Sequence, residues 1–139
     1  LAAKIAALGL TEHVILDPRY IPLEEIGALM GLATVAVYPY RSSTQSGALQ
    51  VAYTFGRPVV ATRVGGLPEA VEHGRSGFLV SAQAPADLAH AILKMVTNPE
   101  LAKLMGEYAR HLSETRFSWK TVAGQILKVY DQLVDNGSA

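Results

Sequence analysis

Two segments of the chain bring hydroxyls, glycines and helix starts together where an anion could be held. The first is Ser42-Ser43-Thr44-Gln45-Ser46-Gly47, a polar loop between the apolar run Thr34–Tyr38 and the helix-like stretch Ala48–Phe55. At a helix start, free N–H groups and the positive dipole end face the preceding loop. Gly47 lets a bulky ligand approach the backbone, and Thr44 and Ser46 can donate hydroxyls. Ser46 suits an ordinary N-cap equally well, so the residues alone leave both readings open. The second segment, Gly65-Gly66-Leu67-Pro68-Glu69, follows the next apolar run, Pro58–Thr62. Its glycines permit a positive φ and close backbone approach, and Pro68 suits a first helical turn. A tight turn with Glu69 serving the helix dipole is the plainer alternative.

Charge favours an anion in this region. No acidic residue occurs from Ile26 through Pro68, whereas Arg41, Arg57 and Arg63 all lie there. Three solvated arginine tips would leave the same pattern. Other chemistries lack their residues. Glu69 and Glu72 are near neighbours, but that spacing alone makes no paired-carboxylate site. His13, His73, His90 and His111 never fall at a metal-ligand spacing. His73, beside Gly74, reads as a helix-end histidine favourable to the dipole. The dinucleotide fingerprint, the triphosphatase phosphate loop and Gly-x-Ser-x-Gly are all absent.

The elements that must position these segments alternate. Leu1, Ile5 and Leu8 form one face of a short helix ended by Gly9, and His13–Leu16 reads as a strand closed by Asp17-Pro18. Pro22 opens a second helix with Glu24 and Glu25 in its first turn. Thr34–Tyr38, Pro58–Thr62 and Phe78–Val80 are unbroken apolar runs, as in strands covered on both faces of a parallel sheet. From Pro85 onward only helical spacing remains, with Asn98 and Ser118 as caps. Trp119 and the stripe Val122, Ile126, Val129, Tyr130 and Leu133 read as core. The expected architecture is α/β, a parallel sheet of about four strands with a helical C-terminal cover. It divides into an α/β part over 1–80 and a helical part over 81–135 of a single domain, 1–139. Ligands of such sheets bind at the carboxyl ends of the strands, which singles out the loops after Leu16, Tyr38 and Thr62.

Composition bounds the rest. With 139 residues, half of them hydrophobic and 17% charged, the chain suits one domain with a substantial core. Twelve Lys and Arg balance twelve Asp and Glu, which argues against nucleic-acid binding through a basic field. The absence of cysteine removes disulfides, thiolate metal sites and thiol nucleophiles. No apolar run has the length of a membrane span, and the N-terminal stretch lacks a basic head and a cleavage site, so a soluble, cytoplasmic protein is expected. The first residue is Leu rather than Met, and the numbering is expected to begin inside a longer chain.

From Val35 to Val80 the chain resembles the C-terminal, donor-binding domain of the group 1 retaining glycosyltransferases of GT-B architecture. The residues that carry this are Val37-Tyr38-Pro39-Tyr40, Thr44-Gln45-Ser46-Gly47-Ala48-Leu49-Gln50 and Ala52–Thr62. Val64-Gly65-Gly66-Leu67-Pro68-Glu69 and Gly74-Arg75-Ser76-Gly77-Phe78-Leu79-Val80 complete the series, and Phe117-Ser118-Trp119 is similar to the family's end. Gly-x-Pro-Val-Val-Ala-Thr followed at this distance by Gly-Gly-Leu-Pro-Glu is far more specific than either piece.

The resemblance implies a Rossmann-like sheet, a nucleotide-diphosphate sugar as donor, and transfer of its glycosyl group to an acceptor hydroxyl with retention. Thr44, Gln45, Ser46, Gly47 and Ala48 would hold the diphosphate and sugar, with Gly65 and Gly66 beside them. Asp17, Arg19 and Tyr20 would lie near the base, and Val51 near the ribose. No metal and no other cofactor is implied, since the helix end and cationic side chains would neutralise the leaving diphosphate. Two glutamates frequent in the family align with Ser43 and Val51, and a subgroup containing Ser-Gly lacks them. The family's first βαβ unit and its acceptor-binding domain would precede Leu1. The first strand would then lose its neighbours, and the expected remedy is rearranged strand pairing, the N-terminal domain, or a second copy of the chain. Alone, the chain is expected to be inactive. The rivals are a non-catalytic fragment that binds nucleotide or self-associates, and a nucleotide-sugar epimerase.

Overall fold

The computed structural model describes residues 1–44 and 46–136. The elements run α1 (Ala2–Ala7), α2 (Leu23–Leu32), β1 (Ala36–Tyr38), α3 (Gly47–Thr54), β2 (Val59–Thr62), α4 (Leu67–Ala70), β3 (Gly77–Val80), α5 (Pro85–Val96), α6 (Pro99–Glu114) and α7 (Trp119–Asn136). The strands form one parallel sheet in the order β1-β2-β3, with Val60 opposite Val37 on one side and Phe78 on the other. This is the Rossmann-like α/β arrangement with helices on both faces.

The apolar runs of β2 and β3 have the physical cause expected of them, whereas β1, an edge of the sheet among the described residues, buries only Tyr38. Every residue of the central strand, β2, is buried. Val59 and Ala61 face one cluster with Leu49, Ala52 and Tyr53 of α3, while Val60 faces the other with Ala91 and Met95 of α5. Helix α6 contributes to both, through Ala109 and Leu112 to the first and through Ala102 and Met105 to the second. Asn98 caps α6 by accepting the Leu101 amide at 3.1 Å, and Ser118 caps α7 by accepting the Thr121 amide at 3.1 Å.

Three sequence expectations are corrected. The sheet of the described residues has three strands, not four: Val14–Leu16 is unpaired, and Ile15 is 96% exposed. An apolar run becomes a strand only when it lies alongside the backbone groups of another strand, and Val14–Leu16 pairs with neither edge of this sheet. The rearranged pairing is likewise not seen. Second, Trp119 is 88% exposed, and Ile126, Val129, Tyr130 and Leu133 are exposed as well, so the stripe on α7 is apolar without being core. Helical periodicity marks a face, whereas burial needs a second surface against it. Third, His73 is not at a helix end. Helix α4 stops at Ala70, and the His73 Nδ1 accepts the Leu79 amide at 3.0 Å, helping to hold β3.

Two buried phenols tie the core together. The Tyr53 hydroxyl lies 2.6 Å from Ser76 Oγ and donates to the Ala70 carbonyl at 3.2 Å, and Tyr38 donates to the Ala48 carbonyl at 2.7 Å. Burial pushes both phenols up from 10.0 to about 12. The folded state therefore holds protons that the unfolded chain releases, so stability is full below pH 10 and falls as the pH rises towards about 12. The loss is expected to reach about 2 kcal/mol per phenol. Urea unfolding at pH 8 and pH 11 checks this through a lower midpoint at the higher pH. Among the described residues no helix is long and apolar enough to cross a membrane.

Candidate functional site

The carboxyl ends of β1 and β2 carry the two glycine- and hydroxyl-bearing loops, and the structure joins them. The Gly66 amide donates to the Thr44 carbonyl at 2.6 Å. The buried Thr62 hydroxyl, at the end of β2, donates to the Tyr40 carbonyl at 2.7 Å. From the other side, the bond from Tyr38 to Ala48 fixes the first turn of α3 against the end of β1. The two loops are thus held in one register by a strand-end threonine, a strand-end tyrosine and a backbone bond.

Both readings of Ser46 meet at this helix start. Its side chain accepts the Leu49 amide at 3.3 Å, so it is the N-cap. Gly47 and Ala48 are exposed, and among the described residues no acceptor takes their amides. Two N–H groups at the positive end of a helix are therefore open to an anion. A cavity of about 250 Å³ lies beside them, lined by Ser46, Gly47, Gln50, Gly66, Leu67 and Glu69, with Arg116 and Phe117 closing it from the far end of the chain.

Of the residues singled out from sequence, Ser46, Gly47 and Gly66 share this cavity, while Thr44 and Gly65 form the loop junction beside it. Gln45 lies outside the described residues. Asp17, Arg19, Tyr20 and Val51 do not line the cavity. The Arg19 guanidinium is bonded to Glu25 and to Asp17, which raises its pKa, with Glu25 the larger cause, and Tyr20 is 85% exposed.

The acid-free stretch also divides in space. Arg41 and Arg63 follow β1 and β2 at the loop end of the sheet, and Arg41 lines a second opening there, of about 320 Å³, with Ser81 and Gln83. Arg57 precedes β2 at the opposite end, so the three arginines do not form one anion site. Sequence reasoning missed Gln50 and Arg116. The Gln50 Oε1 is buried without a hydrogen-bond donor among the described residues. Its position one helical turn after Ser46 was the available signal. Arg116 had none, because only the return of the chain after α6 brings it to α3. It lies 3.7 Å from the Glu72 carboxylate, which also accepts from Arg75 and from the Tyr108 hydroxyl, each at 2.8 Å. Glu72 is therefore engaged in a structural cluster. No group of metal-ligating side chains occurs among the described residues.

The family described as "Glycosyl transferases group 1" matches residues 1–98. D-inositol 3-phosphate glycosyltransferase of Corynebacterium jeikeium is 42% identical over 131 residues, covering 94% of this chain and 30% of that protein. Among solved structures, sucrose-phosphate synthase from Thermosynechococcus elongatus is similar with a TM-score of 0.86 at 27% identity, covering 97% of this chain and 34% of that one. Anabaena HepE in complex with UDP-glucose is similar with a TM-score of 0.79 at 26% identity, covering 94% and 35%. The chain spans about a third of the length of each protein it matches here.

Proposed function

The chain belongs to the group 1 glycosyl transferases, and from that premise we propose that it is the donor-binding part of an enzyme moving a glycosyl group from a nucleotide-diphosphate sugar to an acceptor hydroxyl. The observation that carries this reading is the pair of open amides at Gly47 and Ala48, at a capped helix start beside the junction of two strand-end loops. Thr44, Gln45, Ser46, Gly47 and Ala48 take the diphosphate and sugar, with Gly65 and Gly66 closing on the sugar side. Asp17, Arg19 and Tyr20 serve the base, for which the Arg19 pairing with Asp17 and Glu25 has to open, and Val51 sits towards the ribose. The helix dipole and nearby arginines meet the charge of the leaving diphosphate without a metal. The similar structure of HepE with UDP-glucose supports a uridine diphosphate sugar as the donor class.

The uncovered apolar faces of Val14–Leu16 and of α7 suit a second domain or a second copy of the chain, and catalysis would need that partner to complete the cleft. Ser43 and Val51, which the family resemblance aligns with two glutamates, favour one rival: a chain that binds nucleotide without catalysing transfer. An epimerase is not favoured by the relatives found.

Calorimetric titration with UDP, GDP and ADP, and with their glucose or mannose conjugates, tests the reading. Saturable binding of one nucleotide class is the expected result. No binding by any of them, from a chain shown to be folded by its circular dichroism, overturns it.

A further inference from the structure

At the end of the sheet opposite the open amides lies a cavity of about 620 Å³, bounded by the segments that lead into β1 and β2 and by one face of α6. That face presents Lys103, Glu107, Arg110, His111 and Glu114, whose spacing of three to four residues places them in one row. Arg57 enters from the segment ahead of β2.

The cationic groups here are poorly satisfied by the protein. The Arg57 Nε is buried without an acceptor among the described residues, and the side chain makes one long bond, from Nη2 to the Gly31 carbonyl at 3.4 Å. The Arg110 guanidinium lies over Gly56, so close that a Cβ there would sit 3.1 Å from both Nε and Nη2. Among the described residues neither Arg110 nor Lys103 forms an ion pair, although two carboxylates line the same cavity. Three cations therefore line one space, with their donors largely unspent among the described residues. Guanidinium forks match the oxygens of a phosphate, and an ammonium adds a compact charge. The carboxylates of Glu107 and Glu114, without an ion-pair partner among the described residues, accept hydroxyl hydrogens. The volume falls in the range of small-molecule sites.

We propose that this cavity is a second binding site, for a phosphorylated polyol such as a hexose phosphate, separate from the site at the start of α3. Arg57, Lys103 and Arg110 hold the phosphate, and Glu107 and Glu114 hold the hydroxyls. Because the two sites lie at opposite ends of the strands, the ligands do not compete for space.

The test is titration of the chain, at constant ionic strength, with glucose 6-phosphate, inorganic phosphate and glucose. Glucose 6-phosphate is expected to saturate, inorganic phosphate to bind more weakly, and glucose not to bind. Lys103→Gln and Arg110→Gln change exposed helix positions, so folding is preserved, and each is expected to raise the dissociation constant about tenfold. Circular dichroism of each variant confirms that it is folded, independently of any nucleotide. Absence of saturable binding to the folded chain, or binding unchanged in the variant carrying both substitutions, overturns the proposal. Equal affinity for inorganic phosphate and glucose 6-phosphate overturns the role given to the two carboxylates.

Discussion

Gly47→Trp is expected to weaken nucleotide binding at least about a hundredfold, which corresponds to about 2.7 kcal/mol, while leaving the free energy of unfolding within about 0.5 kcal/mol of the parent. Gly47 is the first residue of α3, and a Cβ built on it meets nothing within 4 Å. Its backbone is not in the left-handed region, so a side chain there brings no strain. The fold consequently tolerates a large residue, while the space in front of the open amides does not remain free. Parallel calorimetric and urea titrations of the variant separate the two effects. If the parent binds a nucleotide and Gly47→Trp binds it equally well, the donor diphosphate does not sit at the start of α3.

Gly65→Ala is expected to cost about 3 kcal/mol of stability and to abolish nucleotide binding together with it. The residue has φ +52°, a conformation that costs a non-glycine residue about 1 kcal/mol. A methyl there would also be driven into the Ser43 carbonyl, with the Thr44 carbonyl oxygen 3.2 Å away. Neither neighbour is a flexible side-chain tip, so relief requires the two loops to separate, which adds roughly 1–3 kcal/mol. Separation would also break the bond from the Gly66 amide to Thr44 that aligns the site. Gly74→Ala is the control: its φ is +81°, but an added Cβ meets nothing within 4 Å. Only the backbone term applies there, about 1 kcal/mol. Equal urea midpoints for the two variants would show that the loop junction is not rigid.

What the sequence alone determined about this protein is local. The runs Thr34–Tyr38, Pro58–Thr62 and Phe78–Val80 declared strands, because a residue buried from either side has to be apolar whichever way it points. Ser46, Asn98 and Ser118 declared helix starts, since a cap needs only the amides two or three residues further on. The loop from Thr44 to Ala48 and the Gly65-Gly66 turn were legible for the same reason, as each borders a strand end and a helix start that neighbouring residues dictate.

Only the tertiary structure decided what depends on a second surface. The same apolar character made β2 a buried strand and left Val14–Leu16 exposed, because pairing needs a strand lying alongside and periodicity does not report one. Trp119 and the stripe of α7 show the same limit for helices. Arg57 reads in sequence as a companion of Arg41 and Arg63, yet the direction of β2 carries it to the other end of the sheet. Arg116 reaches the cavity beside Gly47 only because α6 returns the chain to α3. Caps and turns are settled by interactions within a few residues, whereas burial, pairing and the walls of a cavity join groups far apart in the chain, whose meeting depends on how every element between them packs.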